Sequence, residues 1–224
     1  MPARKIPRNY RSVTGIFPSI FKNGRGIAYE SPLERDFFTL LEFDDNVKTY
    51  EEQPVKILHK KGRKTILYYP DCLITYIPEI TRKDLILDIK DTDTIERTKD
   101  DYEYRRDVVA RYAEEHGQDY AVFTEKEIRT VYLKNVKFLY RFARAPQNLN
   151  EVQMMIKGSG VDGALLAVNE LLAKLTPDKK RQMEILPSIW HLVCIKKISA
   201  NLDDKELNMK SILDVTNDTR ERQR

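Results

Sequence analysis

The 224-residue chain is 41% hydrophobic and 33% charged, a balance that suits a soluble globular protein with a real core. Its length accommodates one large domain or a medium and a small one, and its formal net charge of +4 does not by itself announce a nucleic-acid partner. Two distant cysteines, Cys72 and Cys194, and three scattered histidines argue against a disulfide framework, a structural zinc site or a histidine metal site, and they make a reducing interior the expectation. No apolar h-region follows Met1–Arg11, and no apolar run is long enough to span a membrane.

Charge is unevenly placed at the start. No acid precedes Glu30, whereas Arg4, Lys5, Arg8, Arg11, Lys22 and Arg25 are basic. Residues 1–29 therefore read as a basic arm, suited to phosphate contacts through Arg8, Arg11, Lys22 and Arg25, or as a solvated tail. Ser31-Pro32-Leu33-Glu34 then opens a helix, with Ser as N-cap, Pro at N1 and Glu at N3. Phe37, Phe38, Leu40, Leu41 and Phe43 give it an apolar face, and Asp44-Asp45-Asn46 stops it.

Val47–His59 reads as extended, with Pro54 marking an edge or bulge. Lys60–Arg63 is a turn, Thr65–Tyr69 and Cys72–Ile77 are strands around Pro70-Asp71, and Leu85–Lys90 is the next strand. A helix over Ile95–Glu115 ends at Gly117; Tyr120–Phe123 is a short strand, and Val131–Phe142 a helix. This order predicts an α/β arrangement around a mixed sheet. Ala145–Asn148 is the expected linker, which gives domains at 1–145 and 149–215. The second reads as helices over Gly163–Leu175 and Pro177–Lys197, broken near Pro187. Two short strands, Lys197–Asn201 and Leu207–Ile212, follow, a plan resembling a small winged-helix domain. Residues 216–224 read as a frayed polar tail.

The stretch Leu85-Ile86-Leu87-Asp88-Ile89-Lys90 carries the chemistry. Period-two geometry puts Asp88 and Lys90 on one face of an apolar strand, where unpartnered charges are costly. Acid-x-Lys triplets also occur at Asp178–Lys180 and Asp203–Lys205, in polar surroundings that mark them as surface charge. If the strands on either side of the Pro78–Asp84 connection pair, Asp71 comes beside Asp88. Two adjacent carboxylates repel, and a divalent cation removes that repulsion; oxygen ligands favour Mg²⁺, with Mn²⁺ able to substitute. Lys90 would then face the substrate phosphate. A salt-bridged pair at a strand end remains the alternative reading.

Pro-Asp followed by (Asp/Glu)-x-Lys resembles the signature of the restriction-endonuclease-like nuclease superfamily, and the element order fits its core. Tyr29–Phe37, Leu41–Asp44, Tyr50–Pro54, Pro70-Asp71, Leu87–Lys90 and Phe123–Ile128 together resemble the TnsA endonucleases, subunits of heteromeric bacterial cut-and-paste transposases. That resemblance runs from about Arg8 to Phe142. It implies a restriction-endonuclease-like core, with the C-terminal domain winged-helix-like, and a catalytic set of Glu34, Asp71 and Lys90. Asp71, Asp88, the Ile89 carbonyl and Glu34 are the implied metal ligands. Glu34 has a rival explanation as a capping-box residue, Glu30 is its neighbour and competitor, and Gln53 is a supporting candidate. The resemblance further implies Mg²⁺-dependent cutting of transposon 5′ ends in bacterial cytoplasm, with double-stranded DNA, a TnsB-like transposase and a TnsC-like AAA+ ATPase as partners. A free-standing restriction or repair nuclease would cut plain duplex alone, and an inert transposase adaptor would not need Asp71.

Overall fold

The computed structural model describes Ala3 and residues 13–61 and 64–216. The chain forms two compact units that divide between Arg129 and Thr130. This boundary lies ahead of the expected linker at Ala145–Asn148, because the helix after Thr130 packs with the later helices.

The first unit opens with an antiparallel hairpin, β1 (Gly15–Pro18) and β2 (Gly26–Tyr29), where a basic arm was expected. Helix α1 (Pro32–Phe43) follows, started by Ser31 as N-cap with Pro at N1, as the residue types dictate. Glu42, buried on α1, anchors the hairpin: Ser19 Oγ donates to it at 2.5 Å, Phe21 N at 2.7 Å and Tyr50 Oη at 2.9 Å. A buried carboxylate with three donors is a satisfied one, and it explains why this hairpin needs no long apolar strand to stay folded.

Four strands make the central sheet. They are β3 (Val47–Glu52), β6 (Cys72–Tyr76), β7 (Leu85–Ile89) and β8 (Asp119–Phe123), in the order β3-β6-β7-β8. The first two pairings are antiparallel and β7–β8 is parallel, so the sheet is mixed as expected. The parallel pair requires a crossover, made by α2 (Thr92–Arg97) and α3 (Lys99–Glu115). Strands β4 (Ile57–Lys61) and β5 (Lys64–Tyr68) pair only with each other, as a separate hairpin. The break between β3 and β4 falls at Gln53, whose φ of 41° is a left-handed conformation that no continuous strand accommodates.

Side-chain alternation sorts the two sheet faces. Phe37 of α1 packs on Phe123 at 4.9 Å between ring centroids, and Phe38 stacks on Tyr50 at 5.4 Å. On the other face Ile86 packs with Ile57, Val108, Val109 and Ala113, and Tyr68, Tyr104 and Tyr120 border that cluster. The unit closes with α4 (Glu125–Ile128), whose N-cap Thr124 and Glu127 form a capping box.

The second unit contains α5 (Val131–Tyr140), α6 (Leu149–Gly158), β9 (Leu165–Ala167), α7 (Val168–Leu175), α8 (Lys179–Cys194), β10 (Ser199–Ala200) and β11 (Ile212–Asp214). Its three strands form an antiparallel sheet in the order β10-β11-β9. Helix α8 is central, touching α5, α6 and α7, and buries Ile185, Ile189 and Trp190. It runs through Pro187 without the expected break, because burial among three helices outweighs a lost hydrogen bond worth about 3 kcal/mol with its steric clash. Helix α6, absent from the sequence reading, buries Val152 and Ile156. The expected helix from Gly163 starts instead at Val168, since Leu165–Ala167 pairs with β11. Buried Asn135 holds the connection before β11, donating to the Leu202 and Lys205 carbonyls at 2.8 Å and accepting from Leu207 N at 2.8 Å.

Candidate active site

Cys72 stands opposite Leu87 and Leu73 opposite Ile86, so continuing the antiparallel register one step places Asp71 opposite Asp88. Asp71 N donates to Leu87 O at 3.0 Å, which fixes that step. The sheet thus brings the two acids together, and backbone pairing across β6–β7 is what does it.

Their side chains then part. Asp71 Oδ2 accepts from Ile89 N at 2.7 Å and from Lys90 Nζ at 2.8 Å. Asp88, only 2% exposed, turns both oxygens to phenols: Tyr68 Oη donates to Oδ1 at 2.7 Å and Tyr120 Oη to Oδ2 at 2.8 Å. Burial, then the nearby Asp71 charge, pushes the Asp88 carboxyl up to about 6. Lys90 is 32% exposed; burial works against its charge, but Asp71 and Asp88 outweigh that and hold the ammonium above its ordinary range.

Glu34, 8% exposed, serves the helix start and the acid cluster at once. Its Oε1 accepts from Ser31 Oγ at 2.9 Å, its Oε2 from Glu30 N at 2.9 Å, and its own N–H donates to Ser31 Oγ at 3.1 Å. Burial and the Asp71 charge nevertheless push it up to about 7. The capping reading is therefore real, but a pure cap in solvent would feel no second carboxylate.

Gln53 lies beside Asp71, its N–H donating to Asp71 O at 3.0 Å and its Nε2 to Glu30 Oε2 at 2.9 Å. Its buried Oε1 receives no hydrogen bond among the described residues. The segment after β7 is clasped from β8 and α4: Lys90 N donates to Phe123 O at 3.1 Å, and Thr92 gives Glu125 two hydrogen bonds, at 2.5 and 2.9 Å, which lower the Glu125 pKa.

The basic residues divide differently from expectation. Lys22 donates to the Asp44 and Val47 carbonyls at 2.8 Å each, and Arg25 makes a two-point pair with buried Glu52 at 2.7 and 2.9 Å. Both fasten the β1–β2 hairpin to the sheet. Arg8 and Arg11 lie outside the described residues, as does the tail from 217. Of the other acid-x-Lys triplets, Asp178 caps α8 by accepting from Lys180 N at 2.9 Å, and Asp203–Lys205 is exposed.

Sequence reasoning missed the two tyrosines. Tyr120 had a signal, since the parallel pairing of Ile86 with Tyr120 puts its side chain on the Asp88 face of the sheet. Tyr68 had none, because β5 reaches Asp88 from a separate hairpin. Removing both hydroxyls in a Tyr68→Phe/Tyr120→Phe variant should cost about 2–4 kcal/mol near pH 8, since each is a hydrogen bond to a buried charge. Urea melts should show that cost shrinking toward pH 5, where protonated Asp88 no longer needs two donors; a cost independent of pH would contradict the assignment.

Among the described residues no three His, Cys, Asp or Glu side chains come close enough to share one ion, since Lys90 and the tyrosines draw the acids apart. The donor chemistry still fits a hard cation. Among the described residues Asp71 accepts through Oδ2 alone and Gln53 Oε1 has no donor, while burial and then the Asp71 charge raise two neighbouring carboxyls.

Acids and a lysine gathered where adjoining strands of a mixed sheet end are the layout of a phosphodiester-cutting nuclease. Residues 44–125 match the family model for the TnsA-like endonuclease N terminal, and residues 127–202 match that for the TnsA endonuclease C terminal. The chain belongs to the TnsA endonuclease family, the transposase-associated nucleases. Curated proteins compared by sequence give no match. Asp71, Asp88 and Lys90 fall inside the first matched stretch, whereas Glu34 precedes it.

Proposed function

We propose that the protein is a Mg²⁺-dependent DNA endonuclease that cuts the 5′ ends of a transposon during excision. The observation carrying this reading is the Asp71–Lys90 pair at 2.8 Å, beside two carboxyls that burial and then the Asp71 charge raise. Asp71, the Ile89 carbonyl and Glu34 would hold the cation, with Gln53 Oε1 in support. Asp88, whose oxygens each already accept one phenol, would join through a remaining lone pair. When bound, Mg²⁺ or Mn²⁺ would supply Lewis acidity toward the phosphate and make water more acidic.

The chain's own groups do the rest. Lys90, partly exposed, sets its ammonium where negative charge develops on the phosphate as water attacks in line and the P–O3′ bond breaks. The products are a 5′-phosphate and a 3′-hydroxyl. Asp88, fixed by two phenols, keeps that ammonium charged and oriented. Glu125 and Phe123 hold the backbone that carries Lys90.

The partners in this reading are double-stranded DNA at the transposon ends, a TnsB-like transposase cutting the 3′ ends and a TnsC-like AAA+ regulator. The second unit serves as a winged-helix-like partner domain, a reading supported by the order α6-β9-α7-α8-β10-β11 with β9 and β10 on either side of β11. None of the described helices is long and apolar enough to cross a membrane.

End-labelled transposon DNA incubated with the chain and the transposase, in Mg²⁺ or in chelator, tests the proposal. Nicks at the 5′ ends in Mg²⁺ alone are expected. Undiminished 5′-end nicking in chelator, or none under any condition, would refute it.

A further inference from the structure

The β4–β5 hairpin stands apart from the central sheet yet is tied to the acid strand, because Tyr68 at its end donates to Asp88 Oδ1. Its inner face is structural. Ile57 joins the core with Ile86 and Val108, His59 meets Tyr104 edge-on at 5.3 Å, and Tyr104 Oη donates to Lys60 O at 3.4 Å.

Among the described residues the outer face has no such partners. Lys56 just before β4, Leu58 and Lys60 on β4, and Thr65 and Leu67 on β5 are exposed, Leu58 by 64% and Leu67 by 44%. The two leucines are cross-strand neighbours, and Lys60 faces Thr65. No described acid pairs with Lys56 or Lys60. From Gln53 to Pro70 the sequence has no Asp or Glu at all, where the chain's average would place about three. It has instead Lys56, Lys60, Lys61, Arg63 and Lys64.

We infer that the outer face of the β4–β5 hairpin grips the phosphate backbone of duplex DNA and delivers the scissile strand to Asp71 and Lys90. The inference rests on the nuclease reading above and names the surface that feeds that site. Uncompensated lysines flanking a small apolar pair match a polyanion, which neutralised phosphates and released counterions favour without reading sequence. Two exposed leucines fall well short of the roughly 800 Å² per partner that a stable protein interface needs. An unattached charge run is usually a solvated face; here Tyr68 links it rigidly to the catalytic strand.

Fluorescence anisotropy of a labelled duplex, in chelator so that nothing is cut, tests this on the full chain across a salt series. Lys56→Gln/Lys60→Gln should weaken binding several-fold at low salt and reduce the log–log salt slope by about two phosphate contacts. Lys56→Glu/Lys60→Glu should weaken it further, with thermal midpoints unchanged in both. Unaltered affinity and slope would overturn the inference, as would charge reversal no worse than neutralisation. Failure of the unmodified chain to bind duplex would overturn it too. Loss of transposase capture with an unchanged DNA slope would reassign the face to a protein. If the slope falls as expected but the chain never cuts in Mg²⁺, the nuclease reading fails and the hairpin assignment stands.

Discussion

Replacing Lys90 by alanine should lower single-turnover 5′-end cleavage by about a thousandfold or more, the scale at which losing one preorganised charge contact to a transition state is felt. The ammonium bonds Asp71 Oδ2 at 2.8 Å and faces Asp88 and Glu34 as well. Without it Asp71, Asp88 and Glu34 lose the ammonium that balances their charge. Two effects should therefore travel together: cleavage collapses, and the Mg²⁺ needed to stabilise the fold changes, because the metal no longer competes with a lysine for Asp71. Lys90→Arg keeps the charge but not the compact point-like head, and should recover stability far better than rate. Transposase 3′-end cleavage in the same reaction should be untouched. Lys90→Ala activity within tenfold of the parent would remove Lys90 from the site.

In chelator the first unit should be more stable near pH 5.5 than near pH 8. Burial and Asp71 raise Glu34 to about 7 and Asp88 to about 6, above the ordinary values of 4.5 and 3.8. Between those limits the folded state binds more protons than the unfolded one, so stability is present at the lower pH and is lost as pH rises through the folded values. The loss should be on the order of a few kcal/mol, with the thermal midpoint moving by several degrees. Lys90, also raised, acts in the alkaline range and leaves this window alone. Mg²⁺ at pH 8 should restore the midpoint in proportion to the logarithm of its concentration. Asp71→Asn should make the profile shallower without abolishing it, because burial still raises both carboxyls once the Asp71 charge is gone. A midpoint that climbs from pH 5.5 to pH 8 without metal would contradict the cluster.

The parts of the site that sequence revealed are those set by local rules. Ser31-Pro32-Leu33-Glu34 starts a helix because capping is decided within four residues. LILDIK is an interior strand because an uninterrupted apolar run suits burial on both faces. Asp71 could be placed beside Asp88 because a short polar connection makes adjacent strands pair antiparallel. What stayed hidden depends on distant pairing. Tyr68 and Tyr120 lie 20 and 32 positions from Asp88, and nothing in the spacing says that both hydroxyls converge on one carboxylate. Thr65–Tyr69 read as one more strand of the sheet, since strand composition does not declare which edge it joins. The anchoring bonds of Lys22 and Arg25, read in the sequence as phosphate-contact candidates, were not legible because their acceptors are backbone carbonyls and a buried glutamate over 20 residues away. The helix at Leu149–Gly158 was lost to the Pro146–Asn148 punctuation just before it.

The parallel pairing of β7 with β8 has a consequence for biogenesis. The ribosome makes Asp71, Asp88 and Lys90 well before Tyr120, and the crossover through α2 and α3 must be laid down before β8 exists to dock. Until then Asp88 lacks one of its two phenols and Lys90 lacks the Phe123 carbonyl that holds its backbone. Non-local parallel pairings are also slow to form compared with local helical contacts. A nascent chain therefore carries every acid of the site without a site. Assembly of the last strand is the built-in delay between translation and a competent DNA cutter.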